Sequence, residues 1–340
     1  MTALTSIEGI AYEFPETVVT SQQIEDRLGP AVQKFGFEPG YFEALTGIKE
    51  RRIWGDEMKP SDAATRAAEK LLETAGIDRD EIGCIVNTSV CRDYIEPSVA
   101  CLVHGNLQLP SSCLNFDVSN ACLGFVNGIH IIDALMKTKQ IKYGLIVNGE
   151  CSGHSLESTL KLMTSPEADL DTFRENFATL TLGSGAVAML LAREDVAKEG
   201  HIVRGAVSRA DTRYNRICVG EIDQSQMRSD PQTMLKAGVE LCIETWKDAT
   251  EVIPGWSSQG IDVVAPHQVS IKHTQAMCDA VGLDMAKVFL SIQTTGNIGP
   301  AGVPVSMLMA EEQGRLKRGD YLALLGVGSG LNCMVMGVDW

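Results

Sequence analysis

The chain alternates short, uninterrupted apolar runs with stretches that stay apolar over the length of a helix. DEIGCIVNTSV (80–90), KYGLIVNGE (142–150) and TLTLGSGAVAMLLARED (179–195) belong to the first kind, the pattern of strands buried on both faces. NACLGFVNGIHIIDALM (120–136) is apolar on nearly every side, which predicts a buried helix. The order then returns. GIDVVAPHQV (260–269) reads as a strand, GNIGPAGVPVSMLMAEEQ (296–313) as a helix with a glycine-rich start, and GDYLALLGVGSG (319–330) as a strand. Corresponding pieces are offset by about 177 residues, which marks an internal repeat. The pattern predicts an α/β fold of two related halves, 1–200 and 201–340. Their buried helices should meet near the middle, with both N-termini aimed at a shared pocket. Between the copies, SLESTLKLMTSPEADLDTFRENFA (155–178) reads as a polar, irregular insertion.

Charge and cysteine usage narrow the function. A net charge of −15 argues against general binding of nucleic acid or anionic lipid. A small anionic substrate stays possible, because it needs only a local basic mouth. No apolar run reaches the roughly 20 residues that span a bilayer. The start MTALTSIEGIAYEFPE lacks the basic flank and apolar core of a secretory signal. A cytoplasmic protein is expected. Its ten cysteines lie largely in apolar runs, with no CxxC pair and no zinc-type Cys/His spacing, so reduced buried thiols and no metal are expected.

One cysteine differs by position. Cys122, in SNACLGF, opens the first buried helix, where unpaired N–H groups and the helix dipole should lower a thiol pKa. His267 ends an apolar strand in APHQVS, and Asn297 opens the second buried helix in TTGNIGPAG. Each has a plain alternative: a core cysteine, a satisfied histidine, a helix cap. Together, at equivalent ends of two related halves, they suit acyl transfer through a thioester.

These residues carry a resemblance. TGIKERR (46–52), FDVSNACLGF (116–125), the histidine strand, GNIGPAGVP (296–304) and GVGSG (326–330) are ordered and spaced as in the β-ketoacyl-acyl-carrier-protein synthase III branch of the thiolase superfamily. The resemblance implies a five-layered αβαβα fold and a homodimer. It makes Cys122 the nucleophile, with its own backbone N–H and that of Ser329 as oxyanion hole. His267 and Asn297 would hold the carbonyl oxygen of the second substrate.

The chain also departs from that branch. Synthase III enzymes generate their carbanion by decarboxylation and need no base, and usually carry phenylalanine where RDYIEPSVA (92–100) has Glu96. A carboxylate beside an apolar acyl pocket would have a raised pKa and serve as a base. Glu96 makes the chain resemble the head-to-head acyl-CoA condensing enzymes of long-chain olefin biosynthesis (OleA type), whose glutamate crosses the dimer interface. That implies a non-decarboxylative Claisen condensation of two fatty acyl-CoA molecules to a β-keto acid, with acyl-CoA as substrate and no cofactor. Downstream enzymes would reduce and decarboxylate the product. An exposed turn glutamate is the plain reading. The positions of the family's adenine clamp hold Tyr41 and Leu45, Ser270 replaces an asparagine, and Lys272 keeps a positive charge at the expected CoA mouth. Leu160, Leu162, Met163, Leu170 and Phe177 could line a second alkyl channel or pack on the body. The rivals are a decarboxylating synthase III using malonyl-carrier protein, a hydroxymethylglutaryl-CoA synthase, and a non-catalytic partner subunit.

Overall fold

The computed structural model describes residues 4–198 and 200–340, apart from the side chains of residues 30 and 33. The first half runs β1 (Thr5–Glu13), α1 (Pro60–Ala75), β2 (Ile82–Asn87), α2 (Val99–Asn106), β3 (Leu114–Asp117), α3 (Gly124–Lys137), β4 (Tyr143–Glu150), α4 (Gly153–Met163), α5 (Leu170–Asn176) and β5 (Gly185–Arg193). The second runs β6 (His201–Ala210), α6 (Pro231–Val252), β7 (Val263–Pro266), α7 (Ile271–Val281), α8 (Gly302–Glu312), β8 (Tyr321–Gly328) and β9 (Asn332–Asp339). The order is the same without the two inserted helices. The place of β3 is taken by Val288, which makes a single parallel bridge to Val264 of β7.

Nine strands form one run in the order β7-β8-β9-β6-β1-β5-β4-β2-β3. In the first half β2 is parallel to β3 and β4, and β5 is antiparallel to β4 and β1. In the second, β7 is parallel to β8, and β9 is antiparallel to β8 and β6. The halves join where Ser6 and Ile7 of β1 meet Ile202 and His201 of β6.

Side-chain alternation along each strand then sets the layers. Val187, Met189 and Leu191 of β5 enter one core with α3 and α8, while Ala186, Ala188, Leu190 and Ala192 pack with α1. On β8, Leu322 and Leu324 join the α3/α8 core, whereas Tyr321 and Ala323 pack with Trp246, Ala249 and Cys278 of α6 and α7. The layers are therefore α1/α2, half-sheet, α3/α8, half-sheet, α6/α7: the five-layered thiolase-like fold. Burial on both faces explains why the strands read as unbroken apolar runs.

The insertion differs from the expectation of irregular chain. It holds α4 and α5, whose Leu156, Leu160, Met163 and Phe173 are buried in a satellite core with Ile24, Leu28, Phe42 and Leu180. The 156/160/163 spacing places three of them on one helical face, and Asp169 caps α5 by accepting the Thr172 N–H at 2.8 Å. Phe177 stacks on Phe42, and Leu162 is half-buried. Leu170, 36 % exposed, stands at the surface. None of the described helices is long and apolar enough to cross a membrane.

Candidate functional site

Ligands of open α/β sheets bind beyond the carboxyl ends of the parallel strands. Here β3 leads to Cys122, β4 ends in Glu150, β7 leads to His267, and the chain after Val288 leads to Asn297. Each of the two central helices is entered through a tight turn, Ala121–Leu123 before α3 and Gly299–Ala301 before α8. Ala121 takes φ +44°, a conformation that L-residues rarely adopt, and so turns the chain sharply at the cysteine. The following Leu123 packs directly on Gly326 of β8, where a Cβ would meet the end of the leucine side chain. At Gly328 a Cβ would stand 3.4 Å from the Cys122 nitrogen.

Cys122 is half-buried. The surroundings of its sulfur are nonetheless dry enough that burial pushes the thiol up to about 12, with Cys218 and Glu150 adding to the effect. Burial thus acts against the lowering expected from the helix N-terminus. It favours the neutral thiol form of Cys122.

His267 is locked to β8 through its backbone N–H, which donates to Leu325 at 2.7 Å. Both ring nitrogens are buried and make no hydrogen bond of ordinary geometry among the described residues; the contact with the Gly299 backbone is a weak one. Burial, then repulsion from His273, pushes the imidazole down to about 4. It is neutral at pH 7 and holds an unused donor, an expensive arrangement unless something else binds there. Asn297 is buried and clamped between the halves, donating to Thr181 at 2.8 Å and accepting from Gly183 at 2.9 Å. Its Oδ1 accepts the Gly299 N–H at 3.0 Å, so the capping role is real. Donation from Nδ2 is then the capacity that remains.

Glu150 is a site residue that the sequence reading does not single out. It is 4 % exposed and accepts from the Val90 N–H at 2.8 Å, the Cys91 N–H at 3.3 Å and Asn148 Nδ2 at 3.3 Å. Burial raises its carboxyl to about 7 despite these donors. A Cβ at Gly299 would lie 3.6 Å from the Glu150 carboxyl carbon. Glu150 thus adjoins Gly299 and acts electrostatically on Cys122, and Gly299 touches both Asn297 and His267. The available signal was a charged residue closing the otherwise uncharged strand YGLIVNGE.

Glu96 lies outside this cluster's interior. It is exposed, on the loop between β2 and α2 beside Tyr94 and Ile95, which are 59 % and 81 % exposed. That loop is nevertheless tied down at both ends. Gln224 brackets Arg92, accepting its N–H at 3.1 Å and donating to its carbonyl at 3.0 Å. Asp93 accepts from the Ser61 N–H and hydroxyl at the start of α1, at 3.1 and 2.7 Å. Beyond the tip, Ser98 caps α2 on Cys101 N–H at 3.1 Å, and Asp117 accepts from Val99 and Ala100.

Known proteins share this architecture. The sequence model of 3-oxoacyl-(acyl-carrier-protein) synthase III matches residues 116–211, and that of its C-terminal part matches 254–340. An acyl-CoA:acyl-CoA alkyltransferase of Xanthomonas campestris is 42 % identical over 98 % of both chains. The chain belongs to this family, on the OleA branch. A second alkyltransferase, of Shewanella oneidensis, is 37 % identical over 98 % of both chains. The cerulenin-bound crystal structure of Xanthomonas campestris OleA is similar with a TM-score of 0.96 and 41 % identity, covering 99 % of this chain and 98 % of that one. A Cys-to-Ser variant with bound lauric acid and lauroyl-CoA gives 0.96 and 40 %, over all of both chains.

Within this OleA-branch fold the remaining candidates sit as follows. Ser329 follows Gly328; its hydroxyl engages the Cys218 thiol and its carbonyl accepts from Asn332 Nδ2 at 3.1 Å. Lys272 is exposed in the first turn of α7, which Ser270 caps. Tyr41 stacks on Phe37 at 4.2 Å in the satellite core and Leu45 is half-buried, an aromatic packing role for Tyr41.

Proposed function

We propose that the chain condenses two long-chain fatty acyl-CoA molecules head to head, as a homodimer in which each Glu96 serves the partner's pocket. The observation that carries the reading is the pairing of a dry Cys122/His267/Asn297 cluster with a glutamate on a clamped, outward-facing tip. A base that is needed, yet points away from its own pocket, suits a second copy. The free edge of β3, with Leu114 49 % exposed, supports a two-fold partner, since an open strand edge is a pairing surface. The relatives' name, and the fact that their solved variants alter a cysteine, a glutamate and a histidine, support the same assignment.

The first acyl-CoA transfers its acyl group to Cys122 sulfur, and the thiol proton leaves on coenzyme A. Backbone N–H groups of Cys122 and Ser329 stabilise the tetrahedral oxyanion. The partner's copy of the Glu96 carboxylate takes the α-proton of a second acyl-CoA, while neutral His267 and Asn297 donate to the enolate oxygen. The α-carbon attacks the thioester and the Cys122 thiolate departs, leaving a β-ketoacyl-CoA. Water then cleaves its CoA thioester to a β-keto acid. Lys272 would meet the CoA phosphates at the mouth.

Purified protein incubated with lauroyl-CoA and no malonyl donor should yield the C24 β-keto acid, or the ketone left when it loses CO2, by mass spectrometry. Glu96→Gln should still accumulate acyl-Cys122 while condensation falls by ~10²–10⁴-fold. Product that forms only after malonyl-carrier protein is added would instead establish a decarboxylating synthase.

A further inference from the structure

Glu150 is a buried titratable group that the reaction above does not use, and its surroundings assign it a task. Among the described residues it accepts hydrogen bonds from N–H and S–H donors, Val90, Cys91 and Asn148. A buried carboxylate without a cation is costly. Two of its donors are successive backbone N–H groups at the root of the Glu96 loop. One residue further along, Gln224 holds both backbone groups of Arg92. Gln224 stands at the tip of a short hairpin, at φ +59°, and its carbonyl accepts from the Ser155 hydroxyl of α4. Cys218, at the base of the same hairpin, adjoins Cys122 and engages Ser329. Two supports thus reach from the nucleophile's surroundings to the loop that leaves the pocket.

We propose that Glu150 and Gln224 are positioning residues that fix the direction in which Glu96 is presented to the neighbouring pocket. With Val90 through Asp93 held on one side and Ser98 through Ala100 on the other, only the tip of the loop is unsupported. A shift at the root is then passed on to the tip, and displacement of a reacting group by about 1 Å can cost ~10²-fold in rate. The inference rests on Glu96 being the base, and deepens that reading.

The test separates acylation, read as the burst of free CoA, from condensation, read as β-keto acid, with lauroyl-CoA as substrate. Glu150→Gln replaces one acceptor by a donor facing Cys91 N–H. It should lower condensation by ~10–100-fold, far more than it changes the burst, which it also reaches through its effect on the Cys122 thiol. Gln224→Ala, on the outer hairpin away from Cys122, should lower condensation several-fold with the burst intact. Added to Glu96→Gln, neither change should cost anything further, because residues acting through one group are non-additive. Equal loss in burst and condensation, independent additive losses, or no loss at Gln224→Ala overturns the positioning role. If Glu96→Gln alone condenses at the normal rate, the base assignment has failed, and the clamp with it.

Discussion

The two halves connect strand to helix at the same point in very different ways. After β7 the chain passes only His267, Gln268 and Val269 before Ser270 caps α7; after β2 it makes a long excursion, Thr88 to Pro97, before Ser98 caps α2. Both caps are serines accepting the N–H three residues on, so the helix starts match. The short connection turns its histidine inward, where burial keeps His267 neutral with only a weak contact to the Gly299 backbone among the described residues. The long one carries Glu96 outward to an exposed tip. Duplication supplied two equivalent connections, and the difference in loop length leaves one side chain buried and the other at an exposed tip.

That contrast can be broken by mixing inactive variants. Dimers of Cys122→Ala and Glu96→Gln, each inactive, should recover about a quarter of wild-type condensation once subunits exchange, since half are mixed and each mixed dimer holds one complete site. His267→Asn mixed with Cys122→Ala should recover nothing, because histidine and cysteine belong to one pocket. Failure of the first mixture after demonstrated exchange would place Glu96 in its own chain's site. Recovery in the second would move His267 across the interface.

A smaller effect sharpens the inward side. In the proposed reaction Asn297→Ala removes one of two donors to the developing oxyanion and should cost ~10²–10³-fold in condensation. The acylation burst should survive, because acylation draws on different N–H groups. The same change also frees Gly299 N–H from its cap, so Asn297→Asp, which still accepts there but cannot donate when ionised, is the better control. An equal loss with both, confined to condensation, assigns the effect to donation; a normal rate with aspartate would assign it to the cap.

Much of this architecture is legible in the chain, for a physical reason. Strands buried on both faces leave continuous apolar runs, so Ile82–Asn87, Tyr143–Glu150, Gly185–Arg193 and Tyr321–Gly328 lie within the stretches that read as strands. The insertion misleads because α4 and α5 bury a single face, and their polar residues dominate the text. The Cys122 thiol misleads because desolvation depends on what packs around the sulfur, and Cys218 is distant in sequence. Glu150 escapes notice because a glutamate ending a strand ordinarily marks the way out to solvent. Here the strand ends beneath a loop that folds back over it.

The least of the expected effects concerns pH, and again contrasts groups facing inward. His267 and His273 both fall to about 4 in the folded chain, from an ordinary value of 6.5, chiefly through burial. Between these values the unfolded chain binds more protons, so stability rises with pH over that window. Glu150 works oppositely: its carboxyl is raised to about 7 from 4.5, the folded chain holds the extra proton, and stability falls as pH rises between them. Urea titrations from pH 4 to 8 should therefore show His273→Gln flattening the acid limb, with little change above pH 7. Glu150→Gln should remove the opposing slope and make the remaining rise with pH steeper. A group whose pKa differs by one between the folded and unfolded chain changes stability by about 1.4 kcal/mol, so both differences exceed the error of linear extrapolation for a domain of ordinary stability. A Glu150→Gln curve parallel to wild type would mean that this carboxyl is already ionised in the folded protein near pH 5. The dry link between Cys122 and the Glu96 loop would then be wet.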